Sequence, residues 1–182
     1  MGLLTLRSIL AFLGLFIIAA FSSAPAHHVV VAQEHSYTGA KVDYVVVFPS
    51  PMWRLVDEPD DVHQHTEFVY NDRNDGYLRI RKEALPEGSS IAEFARQDQE
   101  QKEHFRLGYI DGKGESFPGR LNGYTISYEF TLAGKPMAGR TYYLQADDHT
   151  IYALRFTGAR DKLGRIRNQT DQIARTFKLK QG

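Results

Sequence analysis

The most regular alternation of apolar and polar residues lies in the second half of the chain, from Tyr124 to Leu132. Every second residue there is apolar, which places those side chains on one face and predicts a strand with that face buried. Two further strand patterns follow over residues 140–146 and 151–157. Short turn-forming stretches separate the three segments, so we expect three antiparallel strands in a meander.

Strand patterns also occur in the first half of the chain. Residues 43–48 contain a β-branched run that predicts a buried strand, and Pro49 ends it because proline has no N–H for a sheet ladder. The extended pattern resumes over residues 53–56. Residues 67–81 predict two strands joined by residues 71–76, where a final Asp-Gly favours a hairpin.

A capping box marks the start of the first predicted helix. Ser90 is followed three residues later by Glu93, and this pairing predicts a helix from Ile91 to Phe105. Residues 97–104 are almost wholly polar, so we expect this middle helix to leave a broad face in solvent.

The last helix is predicted from apolar residues spaced three and four apart, which form one face that should pack on the meander. These residues are Leu163, Ile166, Thr170, Ile173 and Phe177. Between the two helices, residues 108–123 contain five glycines and a proline, and we expect a long loop or an irregular hairpin there.

The beginning of the chain carries the pattern of a signal peptide. Arg7 is the only charged side chain among residues 1–26, and an apolar run of about 13 residues follows it. That run is shorter than the roughly 20 residues that span a bilayer core, and small residues up to Ala26 follow it. We expect export and cleavage after Ala26, with Ala32 as the alternative site, and no stable membrane span after cleavage.

These patterns predict one domain of the α+β class. We expect a single-domain antiparallel β-sheet flanked by helices on both faces, an α/β/α sandwich, over residues 42–182. Residues 27–41 show no clear periodicity and are expected to form a flexible N-terminal arm.

Charge and cysteine content exclude several classes of protein. Lysine plus arginine and aspartate plus glutamate each number 22, so the chain has no excess positive charge for nucleic acid. The sequence contains no cysteine, which excludes disulfides, a thiol nucleophile and thiolate zinc sites. We find no catalytic motif and expect neither an enzyme nor a cofactor.

One polar constellation has the spacing of a metal site. His63 and His65 are two apart, so on a strand both imidazoles share a face, and Asp61 lies within reach as an oxygen ligand, with Asp60 beside it. This pattern favours a divalent transition metal as the alternative cofactor. A solvated turn with two surface histidines is the competing interpretation.

Three aromatic residues are candidate contacts for a partner. Trp53, Tyr109 and Tyr143 would each offer a large contact area at low entropic cost. Packing in the core is the alternative role for each of them.

The order of these elements resembles the PsbP-like fold. The resemblance rests on the strand that ends in Phe48-Pro49, on Trp53 soon after it, and on the strand over residues 150–158, followed by a helix that closes at residues 173–177. That family includes the photosystem II subunit PsbP, bacterial DcrB-like envelope proteins and a Ran-binding import factor.

The resemblance implies a non-enzymatic binding module rather than a specific activity. We therefore expect an exported binding module of the cell envelope or extracellular space, which contacts an unknown protein or envelope component. A metal-handling protein that uses His63 and His65 is the alternative. Because this chain lacks the lipidated cysteine of many bacterial relatives, we expect a periplasmic or secreted location.

Overall fold

The structure is a computed structural model that describes residues 35–181, so the predicted leader and cleavage sites lie outside the described residues. The strands are β1 His35–Tyr37, β2 Tyr44–Phe48, β3 Trp53–Asp57, β4 His65–Tyr70, β5 Asp72–Ala84, β6 Ile110–Phe117, β7 Gly123–Leu132, β8 Lys135–Gln145, β9 Thr150–Ala159 and β10 Lys178–Leu179. The helices are α1 Ile91–Lys102, α2 Arg160–Arg165 and α3 Arg167–Thr176. Within the described range, no helix is long and apolar enough to cross a bilayer.

A seven-stranded antiparallel sheet dominates the fold, in the order β3-β4-β5-β9-β8-β7-β6. The predicted meander is confirmed, since β7 pairs with β8 from Gly123 to Leu132 and β8 pairs with β9 along its length. A tight turn at Ala133 and Gly134, both with positive φ, joins β7 to β8. The fold class is therefore mostly antiparallel β-sheet with few helices.

The two predicted connections differ in outcome. Residues 110–117, for which we expected a long loop or an irregular hairpin, form edge strand β6 against the next strand, β7, with an irregularity between Asp111 and Gly114. The predicted hairpin around residues 71–76 is confirmed: Asn71 turns the chain with a φ of 59°, residues 73–76 have no partner on either neighbouring strand, and regular pairing of β5 with β4 resumes at Tyr77. Glycine and polar content concealed β6, since it pairs through backbone groups that any residue supplies.

A smaller three-stranded sheet has the order β1-β2-β10. It includes His35–Tyr37, from the segment in which we expected a flexible arm, and these residues pair with residues 46–48 of β2. Residues 27–34 of that segment lie outside the described residues. Tyr37 also packs edge-on against Phe68, which fixes this segment on the main core.

The observed helices differ in length from the helices that the sequence patterns predict. The capping box is confirmed, with Ser90 accepting from the Glu93 N–H, but α1 ends at Lys102 rather than at Phe105. The single terminal helix predicted by the apolar spacing is two helices, because Ile166 leaves helical geometry with φ −99° and ψ 12°.

The seven-stranded sheet has an apolar cluster on each face. Tyr142 and Leu144 of β8 point into the larger cluster, whereas Tyr143 between them points into the smaller one. The predicted packing of the terminal helices on the meander is confirmed, since the larger cluster also contains Leu163, Ile166, Ile173, Ala174 and Phe177. The smaller cluster contains Ala95 of α1.

Candidate binding cleft beside helix α1

The polar middle of α1 leaves a broad face in solvent, as its composition predicts, with Gln97, Glu100 and Gln101 exposed. Two acidic side chains of this stretch are exceptions. Asp98 and Glu103 retain only 5% and 1% of their exposure, because both point onto the sheet. Arg155 of β9 lies beneath them, with Nη2 2.8 Å from Asp98 Oδ2 and Nη1 2.7 Å from Glu103 Oε1. One guanidinium therefore links two carboxylates and fixes α1 on the sheet.

Further polar groups complete this buried network. The Tyr143 hydroxyl donates to Asp98 Oδ2 at 2.9 Å, and Lys102 and Arg106 pair with Asp98 and Glu103. Burial by itself lowers the pKa of Arg155, but the Glu103 and Asp98 carboxylates oppose it and the net shift is upward. Arg155 therefore stays charged, and burial together with Asp98 raises the pKa of the Tyr143 phenol.

A cleft of about 370 Å³ opens beside this network, between α1 and strands β6 and β7. Its lining residues are Arg96, Gln99, Glu100, His104, Tyr109, Asp111, Gly112, Gly114, Tyr124 and Ile126. The lining combines aromatic rings with charges of both signs, which is the composition of a site that orients a ligand through polar groups.

Tyr109 lies at the centre of the cleft. Its hydroxyl donates to Asp111 Oδ1 at 2.7 Å and accepts from Gln99 Nε2 at 3.1 Å, and its ring centroid lies 5.1 Å from that of His104. Burial and the bond to Asp111 raise the pKa of the Tyr109 phenol to about 12, so it is a neutral donor at physiological pH.

Gln99 connects the cleft wall to the buried interior. The residue is buried, its Nε2 is bonded to Tyr109, and its Oε1 has no hydrogen-bond partner among the described residues. An unpaired buried carbonyl costs free energy. On the outer wall, the Arg96 guanidinium lies 5.9 Å from the ring centroid of Tyr124.

Two glycines of β6 allow this strand to form the cleft wall. A Cβ on Gly112 would lie 2.4 Å from the Ser127 carbonyl oxygen, and one on Gly114 would lie 2.6 Å from the Tyr124 hydroxyl. Only glycine therefore permits the close approach of β6 to β7 at these positions.

The three candidate contact aromatics occupy different environments. Tyr109 lines the cleft and is partly exposed, whereas Trp53 and Tyr143 are buried. Trp53 stacks on Phe48 at 5.7 Å and donates from Nε1 to Gln169, so it is a core residue in this fold. The folded surface offers neither Trp53 nor Tyr143 to a partner.

The structure brings His63 and His65 together, with ring centroids 5.6 Å apart. Of the two aspartates considered as oxygen ligands, Asp60 rather than Asp61 lies beside a histidine, with His63 Nδ1 3.4 Å from Asp60 Oδ1. His65 Nε2 lies 3.0 Å from Glu67 Oε1. Across residues 35–181 no group of three or more metal-ligating side chains has converged.

Arg155 and its carboxylates were missed by sequence reasoning, although a signal exists. Asp98 follows Ala95 by three residues and therefore lies on the apolar stripe of the helix, and Arg155 stands between Leu154 and Phe156 in a buried strand. An acidic residue in one apolar pattern, Asp98, and a basic residue in another, Arg155, together predict a buried ion pair.

Comparison with known proteins gives no match among family models or among curated proteins. Solved structures do match. The cyanobacterial PsbP (CyanoP) from Synechocystis sp. PCC 6803 has a TM-score of 0.57 at 14% identity, covering 87% of this chain and 99% of its own.

Two other similar structures come from distant organisms. LpqN of Mycobacterium tuberculosis, involved in cell envelope biogenesis, has a TM-score of 0.56 at 16% identity, covering 82% of this chain and 91% of its own. The Ran-binding protein Mog1p of Saccharomyces cerevisiae has a TM-score of 0.59 at 8% identity, covering 81% and 96%. At these identities the likeness concerns the fold alone, and the fold is PsbP-like.

Proposed function

We propose, on the basis of this PsbP-like fold, that the chain is a non-catalytic binding module of the cell envelope or extracellular space. Its partner is a protein or envelope component that enters the cleft beside α1. The observation that carries the proposal is the cleft of about 370 Å³ itself, in which Tyr109 and Tyr124 lie among charged side chains of both signs.

Export is part of this proposal and is supported by the sequence. The apolar run that follows Arg7 and the small residues up to Ala26 have the form that signal peptidase recognises. The envelope role printed for LpqN is consistent with such a location. A periplasmic or secreted protein follows from this part of the proposal.

We also propose the finer architecture, with α1 on one face of the main sheet and α2 and α3 on the other. The alternation along β8 supports it, because Tyr143 packs in the cluster with Ala95 whereas Tyr142 packs in the cluster with Leu163. In this arrangement the cleft lies on the α1 face.

Site-specific crosslinking tests the use of the cleft. The full chain is produced in its native host with a photoreactive amino acid at exposed position 96. We expect illumination to give one discrete crosslinked adduct with the partner. The same amino acid at exposed position 87, in the loop before α1, should give none. Adding Tyr109→Ala should lower the adduct yield at least tenfold, because the substitution removes the central ring and its two hydrogen bonds.

The Tyr109→Ala protein must retain its far-ultraviolet circular dichroism for this comparison. Equal adducts at positions 96 and 87, or an adduct at 96 that Tyr109→Ala leaves unchanged, would contradict the proposal.

Metal handling by His63 and His65 is a second proposal, favoured by the 5.6 Å separation of the two rings. We expect His63→Ala together with His65→Ala to weaken binding of Zn²⁺ or Cu²⁺ at least tenfold by isothermal titration calorimetry. His149→Ala, in an exposed turn, is the matched control and should leave the affinity unchanged. Because His65 also bonds Glu67, His63→Ala alone provides the variant with the smaller effect on the fold. Heat no greater than that of dilution would exclude this function.

A further inference from the structure

One end of the main sheet carries large apolar side chains in solvent. Phe105 and Leu107, in the connection after α1, are 83% and 76% exposed, and Ile110 and Leu132 are 61% and 55% exposed. These four residues, called here the apolar tip, are half of the eight large hydrophobic residues that are exposed in the described range. Side chains of this size seldom remain in water without a partner when they are grouped.

Backbone contacts hold the apolar tip together. The Thr131 N–H donates to the Leu107 carbonyl at 2.7 Å, which places Leu107 beside the end of β7 and next to Leu132. Ile110 pairs with Glu129 on the same strand, two residues from Thr131. The tip is therefore formed by two adjacent turns, residues 103–109 and 132–135, together with Ile110 at the start of β6, rather than by scattered residues.

The exposed charge on these two turns is basic. Lys135 is exposed beside the apolar side chains, and an exposed histidine, His104, lies in the first turn. Arg106 is half-buried over the Phe130 ring and pairs with Glu103, the only carboxylate in the two turns, which points inward. The nearest carboxylates outside the turns are also engaged. Glu129 pairs with Arg160 at 3.0 Å, and Asp111 accepts from Tyr109.

We infer that the apolar tip docks on the surface of an anionic lipid bilayer. Apolar side chains at a protein tip enter the boundary between headgroups and acyl chains, and neighbouring lysine or arginine side chains contact anionic headgroups. The charge pattern selects lipid over an apolar protein surface, because the exposed charged side chain beside the apolar residues is a lysine, Lys135, and exposed carboxylates are absent from the two turns. This inference is independent of the cleft.

A polarity-sensitive fluorophore tests the docking directly. The chain has no cysteine, so Phe105→Cys provides a single labelling position in the full-length protein. We expect the fluorescence of an attached nitrobenzoxadiazole to rise at least twofold on vesicles that contain phosphatidylglycerol. The same label at Val62→Cys, an equally exposed apolar position outside the tip, should not respond.

Two further variants separate the apolar and electrostatic contributions. In the Phe105→Cys protein, Leu107→Ser with Leu132→Ser should weaken vesicle binding at least tenfold. Lys135→Gln should weaken binding to vesicles that contain phosphatidylglycerol and leave binding to vesicles without anionic lipid unchanged. Added salt should likewise weaken binding of the unsubstituted tip to the phosphatidylglycerol vesicles.

Several outcomes would overturn the inference. These are no response at position 105, an equal response at position 62, a response that grows with protein concentration in the absence of vesicles, and a response to membrane proteins but not to protein-free vesicles. The third outcome would indicate self-association and the fourth a protein partner. None of them bears on the crosslinking result at position 96.

Discussion

Replacing Arg155 with methionine is expected to lower the free energy of unfolding by about 3–5 kcal/mol, the usual cost of leaving buried charges without their partner. Methionine fills much of the same volume, so the loss comes from Asp98 and Glu103, which Arg155 contacts at 2.8 and 2.7 Å. In a domain of this size each kcal/mol lowers the melting temperature by about 2–4 °C. Urea unfolding followed by circular dichroism measures the change.

Matched variants separate charge from packing. Arg165→Met removes an exposed arginine that pairs with Asp161 at 3.5 Å, and it should change stability by less than about 1 kcal/mol. Adding Asp98→Asn and Glu103→Gln to Arg155→Met should restore part of the lost stability, because the unpaired charges are then removed. If Arg155→Met were as stable as Arg165→Met, the buried network would not hold α1 on the sheet.

Trp53→Ala is expected to destabilise the fold by about 3–5 kcal/mol, the range for a buried aromatic residue that is truncated to alanine. Trp53 stacks on Phe48 and packs against Tyr70 and Phe156, so the truncation opens a cavity among three other rings. Trp53→Phe keeps an aromatic ring and loses the hydrogen bond to Gln169, and it should therefore cost less. Because Trp53 is the only tryptophan, circular dichroism is the appropriate probe.

Val62→Ala provides the comparison for this prediction. Val62 is 80% exposed, and its truncation should change stability by no more than about 0.5 kcal/mol. A Trp53→Ala protein that unfolds at the same urea concentration as Val62→Ala would remove Trp53 from the core. It would also restore the hypothesis that this residue contacts a partner.

Helix α1 links the buried network around Arg155 to the candidate cleft. Asp98 and Gln99 lie on α1, and Glu103 directly follows its last residue. Asp98 and Glu103 bind Arg155, while Gln99 binds Tyr109. A loss of Arg155 therefore also removes the contacts that keep α1 beside β6. The Arg155→Met protein should show a weaker adduct from position 96 even under conditions in which it remains folded.

The meander and the capped helix could be predicted because their signals are local. Alternation over residues 124–132 reports which face of a strand is buried, and Ser90 with Glu93 reports where a helix begins. The same local order carried the resemblance to the PsbP-like fold, which the solved structures support. Of the candidate cleft, the sequence indicated Tyr109 and the glycine-rich stretch, without the partners that join them.

Pairing between distant segments was decided only by the tertiary structure. Strand β6 exists because β7 offers backbone groups to a glycine-rich segment, and β1 exists because β2 lies beside it. Within the largely exposed polar stretch of α1 and the residue after it, Asp98 and Glu103 are buried because Arg155, more than 50 residues later, supplies the opposite charge. Local patterns report the average environment of a residue, whereas the burial of a charge depends on one specific partner whose position only the completed fold determines.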